Sequence, residues 1–312
     1  MTELSAELSN ERVVYINGEI VPESRAMVSF RDRSFKYGDG AFDMTRTFGR
    51  RIFKLEEHLK RFYKSLKYLQ MDPGMSLEKM KDISEEVLAR NLHLLNDDED
   101  YWVGQRVSRG VEPVGGDIHE SSEPTVIVEC TPLPFKSRAH YFRDGMEILV
   151  PSLRRTAPDS LTPRAKTHNY MNLMIAHDEV RRQNANAWAI LLDVNGNLCE
   201  GVGSNIFLVE DGVIHTPQDR YVLCGVSRET VIDLAETAGL KVVRKDLDLY
   251  DAYTADEAFI TSTSFCIVPV HSINGIEMGG GAVPGPLTKR LTDAYIDFVG
   301  HDFVAQYLKH LD

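Results

Sequence analysis

At 312 residues the chain is too long for one ordinary hydrophobic core and suits two domains of roughly 130 to 180 residues. With 43% hydrophobic and 26% charged residues it has the make-up of a globular protein, which excludes disordered and fibrous classes. A formal net charge of −12 argues against nucleic acid or an anionic membrane as the main partner.

The four cysteines, Cys130, Cys199, Cys224 and Cys266, show no CxxC pair and no Cys/His ligand spacing, so no metal site is expected. Buried free thiols in a reducing compartment are the expectation. The opening MTELSAELSNERVV has neither a basic n-region nor an apolar h-region, and no apolar run approaches membrane-spanning length. A cytoplasmic protein is predicted.

Residues 1–11 read as polar and loose. Val13–Ile16, the Asn17-Gly18 turn and Glu19–Val21 then form a hairpin signal. Ala26–Phe30 is a second strand candidate, and alternation around Phe42, Met44, Arg46 and Phe48 predicts strands on both sides of a Gly49 turn. From Leu55 the spacing turns helical through Leu59, Phe62, Leu66 and Leu69. A second helix starts at Ser76 and runs to about Leu95. Tyr101–Val107 and Thr125–Cys130 read as strands, with the polar loop RGVEPVGGDIHESSEP between them.

Two prolines in Thr131–Phe135 mark a linker. The predicted layout is a small N-terminal α/β domain over 1–131, a linker over 132–139 and a larger domain over 140–312. In the second part, Met146–Val150 is a strand, Tyr170 to Arg182 a helix, and Trp188–Asp193 and Leu198 onward are strands joined at Asn195-Gly196. Asn205–Val209 and Val213–Thr216 form a hairpin. VSRETVIDLAETAGLKVV reads as helix, Gly239 stop and strand, Glu257–Thr263 as a strand, and Pro286 to Val299 as a helix. Helices and strands mix without a regular alternation, which favours two mixed α/β (α+β) domains over a doubly wound sheet.

Several residues fit anion or cofactor chemistry, each with a plainer reading beside it. Gly225-Val226-Ser227 opens a helix with Ser227 in N-cap position, where backbone N–H groups and the dipole would receive a phosphate; taken alone, a simple cap is the better reading. Thr261–Ser264 is a hydroxyl cluster at a strand end. Arg61 lies on the polar side of its helix, where an arginine is ordinarily solvated. Glu200 sits between Cys199 and Gly201 in CEGVGSN, where the glycines allow either close ligand approach or a tight exposed turn. Lys166 stands where a Pro-containing loop gives way to a helix. A lysine that loses its proton and an acid that keeps its charge are what pyridoxal phosphate (PLP) chemistry requires.

The ordered set YGDGAF (37–42), FKLEEHLKRF (53–62), RAKTHNY (164–170), LCEGVGSNIF (198–207), LCGVSRETV (223–231), DEAFITST (256–263) and GPLTKRL (285–291) resembles the fold-type IV PLP enzymes. That family includes branched-chain and D-amino acid aminotransferases, (R)-amine transaminases and aminodeoxychorismate lyase. The resemblance runs from about Val13 to Tyr295. It implies that Lys166 holds PLP as a Schiff base and shuttles the proton, and that Glu200 pairs with the pyridine nitrogen. It also implies that Arg61, Val226, Ser227, Thr263 and Ser264 hold the phosphate, that Tyr170 lies near the ring hydroxyl and that Leu223 packs on the ring. A smaller N-terminal domain and a homodimer or larger assembly follow from the same likeness.

For the substrate, the resemblance implies that Tyr37, Phe42, Met44, Arg46, Tyr101, Val103 and Ser264 line its site. The partners are then a small amino donor and a 2-oxo acid acceptor. Tyr37, Phe42 and Arg46 match the branched-chain pattern, but Met44 replaces its glycine and Val103 the arginine that receives glutamate's side-chain carboxylate. Arg46, Arg106 and Arg109 are alternative carboxylate anchors, with ion pairing as the plainer reading of each. The interval from Lys166 to Asn169-Tyr170 is one residue shorter than the branched-chain K-x-G-G-N-Y and matches D-amino acid and (R)-amine members. A branched-chain-like transaminase is the first expectation. An (R)-amine or D-amino acid transaminase is the alternative, and β-elimination of the aminodeoxychorismate-lyase type is a further one.

Overall fold

The computed structural model describes residues 10–281 and 283–311, so most of the expected loose start, residues 1–9, lies outside them. The chain divides into two compact units, one ending at Leu133 and the other beginning at Pro134. The division falls within the expected linker, but Phe135–Asp144 is helical rather than irregular.

The first unit holds β1 (Val13–Ile16), β2 (Glu19–Pro22), α1 (Arg33–Tyr37), β3 (Gly40–Phe48), β4 (Arg51–Ile52), α2 (Leu55–Tyr68), α3 (Leu77–Asn91), β5 (Tyr101–Ser108) and β6 (Thr125–Pro132). Its six strands run β2-β1-β6-β5-β3-β4, every neighbour antiparallel. Asn17 and Gly18 both take positive φ, 46° and 102°, so the β1–β2 hairpin turns as its Asn-Gly dipeptide requires. The side chain of Ser76 accepts from the Lys79 N–H and caps α3. Leu59, Phe62, Leu66, Met80, Ile83 and Val87 place the apolar stripes of α2 and α3 in one core against one face of the sheet. Ala26–Phe30 is not a strand: Met27 and Phe30 are 80% and 76% exposed, and α1 follows instead.

The second unit holds α4 (Phe135–Asp144), β7 (Met146–Leu149), α5 (Met171–Gln183), β8 (Trp188–Leu192), β9 (Leu198–Gly201), β10 (Ser204–Glu210), β11 (Val213–Thr216), α6 (Val226–Thr237) and β12 (Val242–Arg244). It continues through α7 (Leu249–Thr254), β13 (Glu257–Ser262), β14 (Cys266–Ile273), β15 (Ile276–Glu277), α8 (Pro286–Val299) and α9 (Phe303–Leu308). Strands β10, β13, β14, β7, β8 and β9 pair in that order, and β9 pairs back to β10 through Glu200↔Asn205, so the six close into a ring. Residues on the strands that meet at this closure are largely buried: all of β8 and β9, and six of the seven in β10. The ring positions Glu200, at the end of β9, and the Thr263–Ser264 turn between β13 and β14. No helix among the described residues is long and apolar enough to cross a membrane.

Candidate active site

In the first unit, α2 carries His58 and Arg61 three residues apart, hence on one face. Both meet Asp43 on β3. Arg61 donates from Nε to Oδ2 at 2.8 Å and from Nη2 to Oδ1 at 2.7 Å, while His58 Nδ1 lies 2.8 Å from Oδ1. Burial alone would push the Asp43 carboxyl up. The Arg61 charge and the His58 and Arg61 hydrogen bonds outweigh it and hold the group well below the usual carboxylate range. The Arg61 side chain is only 13% exposed, so the solvated reading of this arginine is set aside. Asp43 fixes its guanidinium in one orientation.

The register of β3 on β5 sorts the substrate candidates by sheet face. Residues directly opposite share a face. Phe42 faces Arg106, Met44 faces Gly104 and Arg46 faces Trp102; Asp43 faces Gln105 and Thr45 faces Val103. Asp43 and Gln105 reach His58, Arg61 and Ser84 on the helices, so their face is the helix side. Tyr101 and Val103 belong to that side, fully buried in the α2–α3 core. The Tyr101 hydroxyl donates to the Asn91 carbonyl at 3.1 Å, and burial pushes it up to about 12. Tyr101 and Val103, expected to line the substrate's site, thus lie on the opposite face of the sheet from Phe42 and Met44. Arg106 and Gly104 hold the positions opposite Phe42 and Met44, and Trp102 the one opposite Arg46.

Gly104 also accounts for Met44. A Cβ on Gly104 would stand 3.0 Å from the Met44 Cε and 3.1 Å from its sulfur, so the methionine side chain lies over the glycine. The small residue of the acid-glycine pattern is thus found on the neighbouring strand.

The three arginines offered as anchors are each engaged with a carboxylate. Arg46 is fully buried. Its Nη2 lies 3.4 Å from Asp100 Oδ2, its Nε donates to the Thr47 carbonyl at 2.9 Å, and its guanidinium sits 4.1 Å from the Phe48 ring centroid. Arg106 pairs with Glu129 at 2.7 Å, and Arg109 with Asp39 at 2.9 Å and with the carbonyls of Leu69 and Gln70. Tyr37 is 43% exposed, and its hydroxyl donates to Glu112 at 3.1 Å. The polar loop after Gly110 is pinned to the α1 region: Arg31 donates to the carbonyls of Glu112 and Pro113, Arg33 to that of Ile118, and Lys36 to Glu112.

In the second unit, the Lys166 Nζ donates to the Tyr170 hydroxyl at 2.8 Å, and Lys166 is only 9% exposed. Tyr170, at the start of α5, packs on a cluster of Leu173, Ala176, Leu191, Leu153 and Val202, which sets it beside the CEGVG turn. Glu200 is 5% exposed and held at both oxygens. Arg155 donates from Nε to Oε1 at 2.9 Å, and the Leu223 N–H donates to Oε2 at 2.8 Å. Gly201 abuts the Ala189 carbonyl, the Ser204 hydroxyl and the Trp188 indole, and Gly203 has φ 74° in open space. These glycines serve strand packing and the β9–β10 turn, and Glu200 is buried rather than exposed.

The cap of α6 is Gly225, with no side-chain hydrogen bond at the cap, and Ser227 is the second helical residue, not the N-cap. A Cβ on Gly225 would stand 2.3 Å from the Asn205 amide oxygen, and the same amide donates to the Leu223 carbonyl at 2.9 Å. The helix start is thereby pressed onto β10 next to Glu200, with the backbone N–H groups of its first turn lacking a capping side chain. Tyr295 lies 3.4 Å from the Ser227 hydroxyl. Thr263 and Ser264 form the β13–β14 turn, and Asn205 of β10 pairs with Thr261 just before it. Lys166 and Tyr170 come together; so do Glu200, Leu223 and the α6 start. Sequence reasoning missed Arg155, because nothing in LRRTAP distinguishes it, and left Asp43 without a role.

A profile of the amino-transferase class IV family matches residues 40–273. The chain belongs to the class IV aminotransferases and is a transaminase of fold type IV. Among its relatives are branched-chain-amino-acid aminotransferases. The branched-chain-amino-acid aminotransferase of Escherichia coli K12 is 31% identical over 293 residues, covering 90% of this chain and 91% of that one. Among solved structures, the E. coli enzyme superposes with a TM-score of 0.82 at 28% identity, covering 93% of this chain and 95% of that one. The T.th. branched-chain amino acid aminotransferase complexed with N-(5'-phosphopyridoxyl)-L-glutamate gives 0.82 at 28%, covering 93% and 94%.

Proposed function

We propose that this transaminase uses PLP to move the amino group of an apolar, branched-chain-like amino acid to a 2-oxo acid. The observation that carries the reading is the pair of functional ends in one domain. Lys166 is a nearly buried amine bonded to a phenol, and Glu200 is a nearly buried acid clamped by Arg155 and the Leu223 amide. The residues fit the cofactor: an α6 start without a side-chain cap, pressed tight by Gly225, suits a phosphate, and the acid suits a pyridine nitrogen. When bound, PLP supplies the electron sink that makes the substrate's Cα proton labile.

The chain's residues do the rest. The Lys166 Nζ binds the cofactor and carries the proton to and from the substrate Cα, with the Tyr170 hydroxyl orienting it. Glu200 holds a proton on the pyridine nitrogen, and Arg155 keeps the carboxylate in place. Val226, Ser227 and Thr263 hold the phosphate, and in the first unit Asp43 fixes the orientation of the Arg61 guanidinium. Leu223 packs on the ring. In the first unit, Phe42 and Met44 offer an apolar wall suited to the substrate side chain, with Tyr37 on the helix before them; in the second, Ser264 is the substrate-binding candidate.

We further infer a homodimer. Met27, Phe30, Phe35, Val114 and Ile118 are all at least 60% exposed, and the Arg31 and Arg33 hydrogen bonds bring their two segments together. An apolar patch of this kind calls for a second copy. Free cysteines, three of the four buried, agree with a cytoplasmic location.

A half-reaction panel tests the substrate. L-leucine is expected to bleach the visible band of the PLP-loaded protein, with D-alanine and (R)-1-phenylethylamine inert. Bleaching by the last two alone would transfer the protein to the D-amino acid and (R)-amine group that shares its Lys166–Tyr170 interval.

A further inference from the structure

Arg46, Arg106 and Arg109 each face an acid within their own unit. A fourth arginine, Arg138 on α4, stands beside the turn joining β13 to β14. Its Nη1 donates to the Ser264 hydroxyl at 2.5 Å, and its guanidinium lies 4.6 Å from the Phe265 ring centroid. The same turn is held from α9, where the Tyr307 hydroxyl donates to the Ser264 carbonyl at 3.0 Å. Within the turn, the Phe265 N–H donates to the Ser262 hydroxyl at 3.1 Å, and Cys266 takes a left-handed φ of 61°. Ser264 is therefore fixed at its side chain by one helix and at its carbonyl by another. Burial pushes the Arg138 guanidinium down from its ordinary value, with Tyr307 acting the other way, yet an arginine keeps its charge at any working pH.

We propose that Arg138 is a positioning residue for the substrate's carboxylate: through the Ser264 hydroxyl it sets Ser264, in the β13–β14 turn, as the receiving group and brings a positive charge to it. This rests on reading Thr263 and Ser264 as site residues. A hydroxyl that accepts from a guanidinium is polarised and donates its own hydrogen more strongly. In a site of low dielectric, a cation one residue removed from the anion still attracts it.

The experiment measures, by calorimetry on the PLP-loaded protein, the binding of 4-methylvalerate and of its uncharged amide, 4-methylvaleramide. PLP affinity is measured in parallel by titrating the apoprotein. Arg138→Gln is expected to weaken 4-methylvalerate about tenfold, the scale of one charge-assisted hydrogen bond, while leaving the amide and PLP unchanged. Arg138→Lys should restore part of the loss. Ser264→Ala, which removes one hydroxyl and threatens folding less, should weaken the acid in the same direction. Equal binding of the acid by wild type, Arg138→Gln and Ser264→Ala overturns the proposal, as does an equal loss of acid and amide in Arg138→Gln, which a merely structural role would give. A wild type that binds PLP but not the acid overturns both the substrate reading and this proposal, and a wild type that binds no PLP overturns the cofactor reading; both show without any variant.

Discussion

Arg46 offers a test in which two roles give opposite results. A residue that anchors substrate loses affinity when replaced; a buried structural cation loses stability. Both side chains of the Arg46–Asp100 pair are 0% exposed, and Asp100 also accepts from the Thr47 hydroxyl at 2.6 Å and the Arg50 N–H at 3.3 Å. Asp100→Ala strands the Arg46 charge in the interior, at a cost of about 3–5 kcal/mol, and leaves the Thr47 hydroxyl without this acceptor. Against a typical total of about 5–15 kcal/mol this is a large fraction. The melting transition should fall by roughly 10 °C. The double change Arg46→Met with Asp100→Leu removes both charges together and should recover most of that loss, since apolar replacement of a whole buried pair is nearly neutral. Urea denaturation followed by circular dichroism gives the free energies, and steady-state kinetics with L-leucine gives KM. A double variant that melts like wild type but shows KM raised more than about tenfold would refute the structural assignment and return Arg46 to the substrate.

Glu200→Gln should keep the fold and lower kcat by about 10²-fold or more, because an amide cannot hold the pyridine proton; an unchanged kcat removes Glu200 from the cofactor. Asp43 makes a pH prediction. Its carboxyl is depressed in the folded state, so its stabilisation is fully present above the unfolded value of about 4 and is lost as pH falls toward the lower folded value. Asp43→Asn should therefore lower stability at neutral pH and flatten its decline below about pH 4; parallel acid-unfolding curves would contradict the pairing. Burial pushes Cys130 up to about 12, and it raises Cys199 as well. Ellman's reagent at pH 8 should modify neither in the native protein and should react first at Cys224, the only half-buried one of the four. Rapid loss of Cys130 or Cys199 would show that the core opens.

Much of the fold could be read from local patterns that need no long-range information. The Asn17-Gly18 hairpin, the Leu55–Leu69 stripe, the Ser76 cap and the Pro286 helix start each carry their own signal. The misses have physical causes. Ala26–Phe30 alternates like a strand but finds no partner strand. β14 contains Pro269, which disfavours a central strand; yet pairing of β14 with β7 begins only at Val270, so the missing N–H falls before the second neighbour starts. The helices α7 and α9 have six residues each, too short for periodicity to show. At the candidate site, Lys166 and Glu200 are singled out by the motifs around them. The sheet face of Tyr101 and Val103 was not, because a one-residue difference in register moves every side chain to the other face. Arg155 and Arg138 were invisible for another reason. Their partners Glu200 and Ser264 lie 45 and 126 residues away, and only the closed ring and the packing of α4 bring them together.

The central claim is that Lys166 is the residue that carries the cofactor. Borohydride reduction of the PLP-loaded protein, followed by proteolysis and mass spectrometry, tests it directly. The account predicts a single phosphopyridoxyl group, on Lys166, absent from Lys166→Ala together with all turnover. Modification of another lysine, or turnover retained in Lys166→Ala, would contradict it.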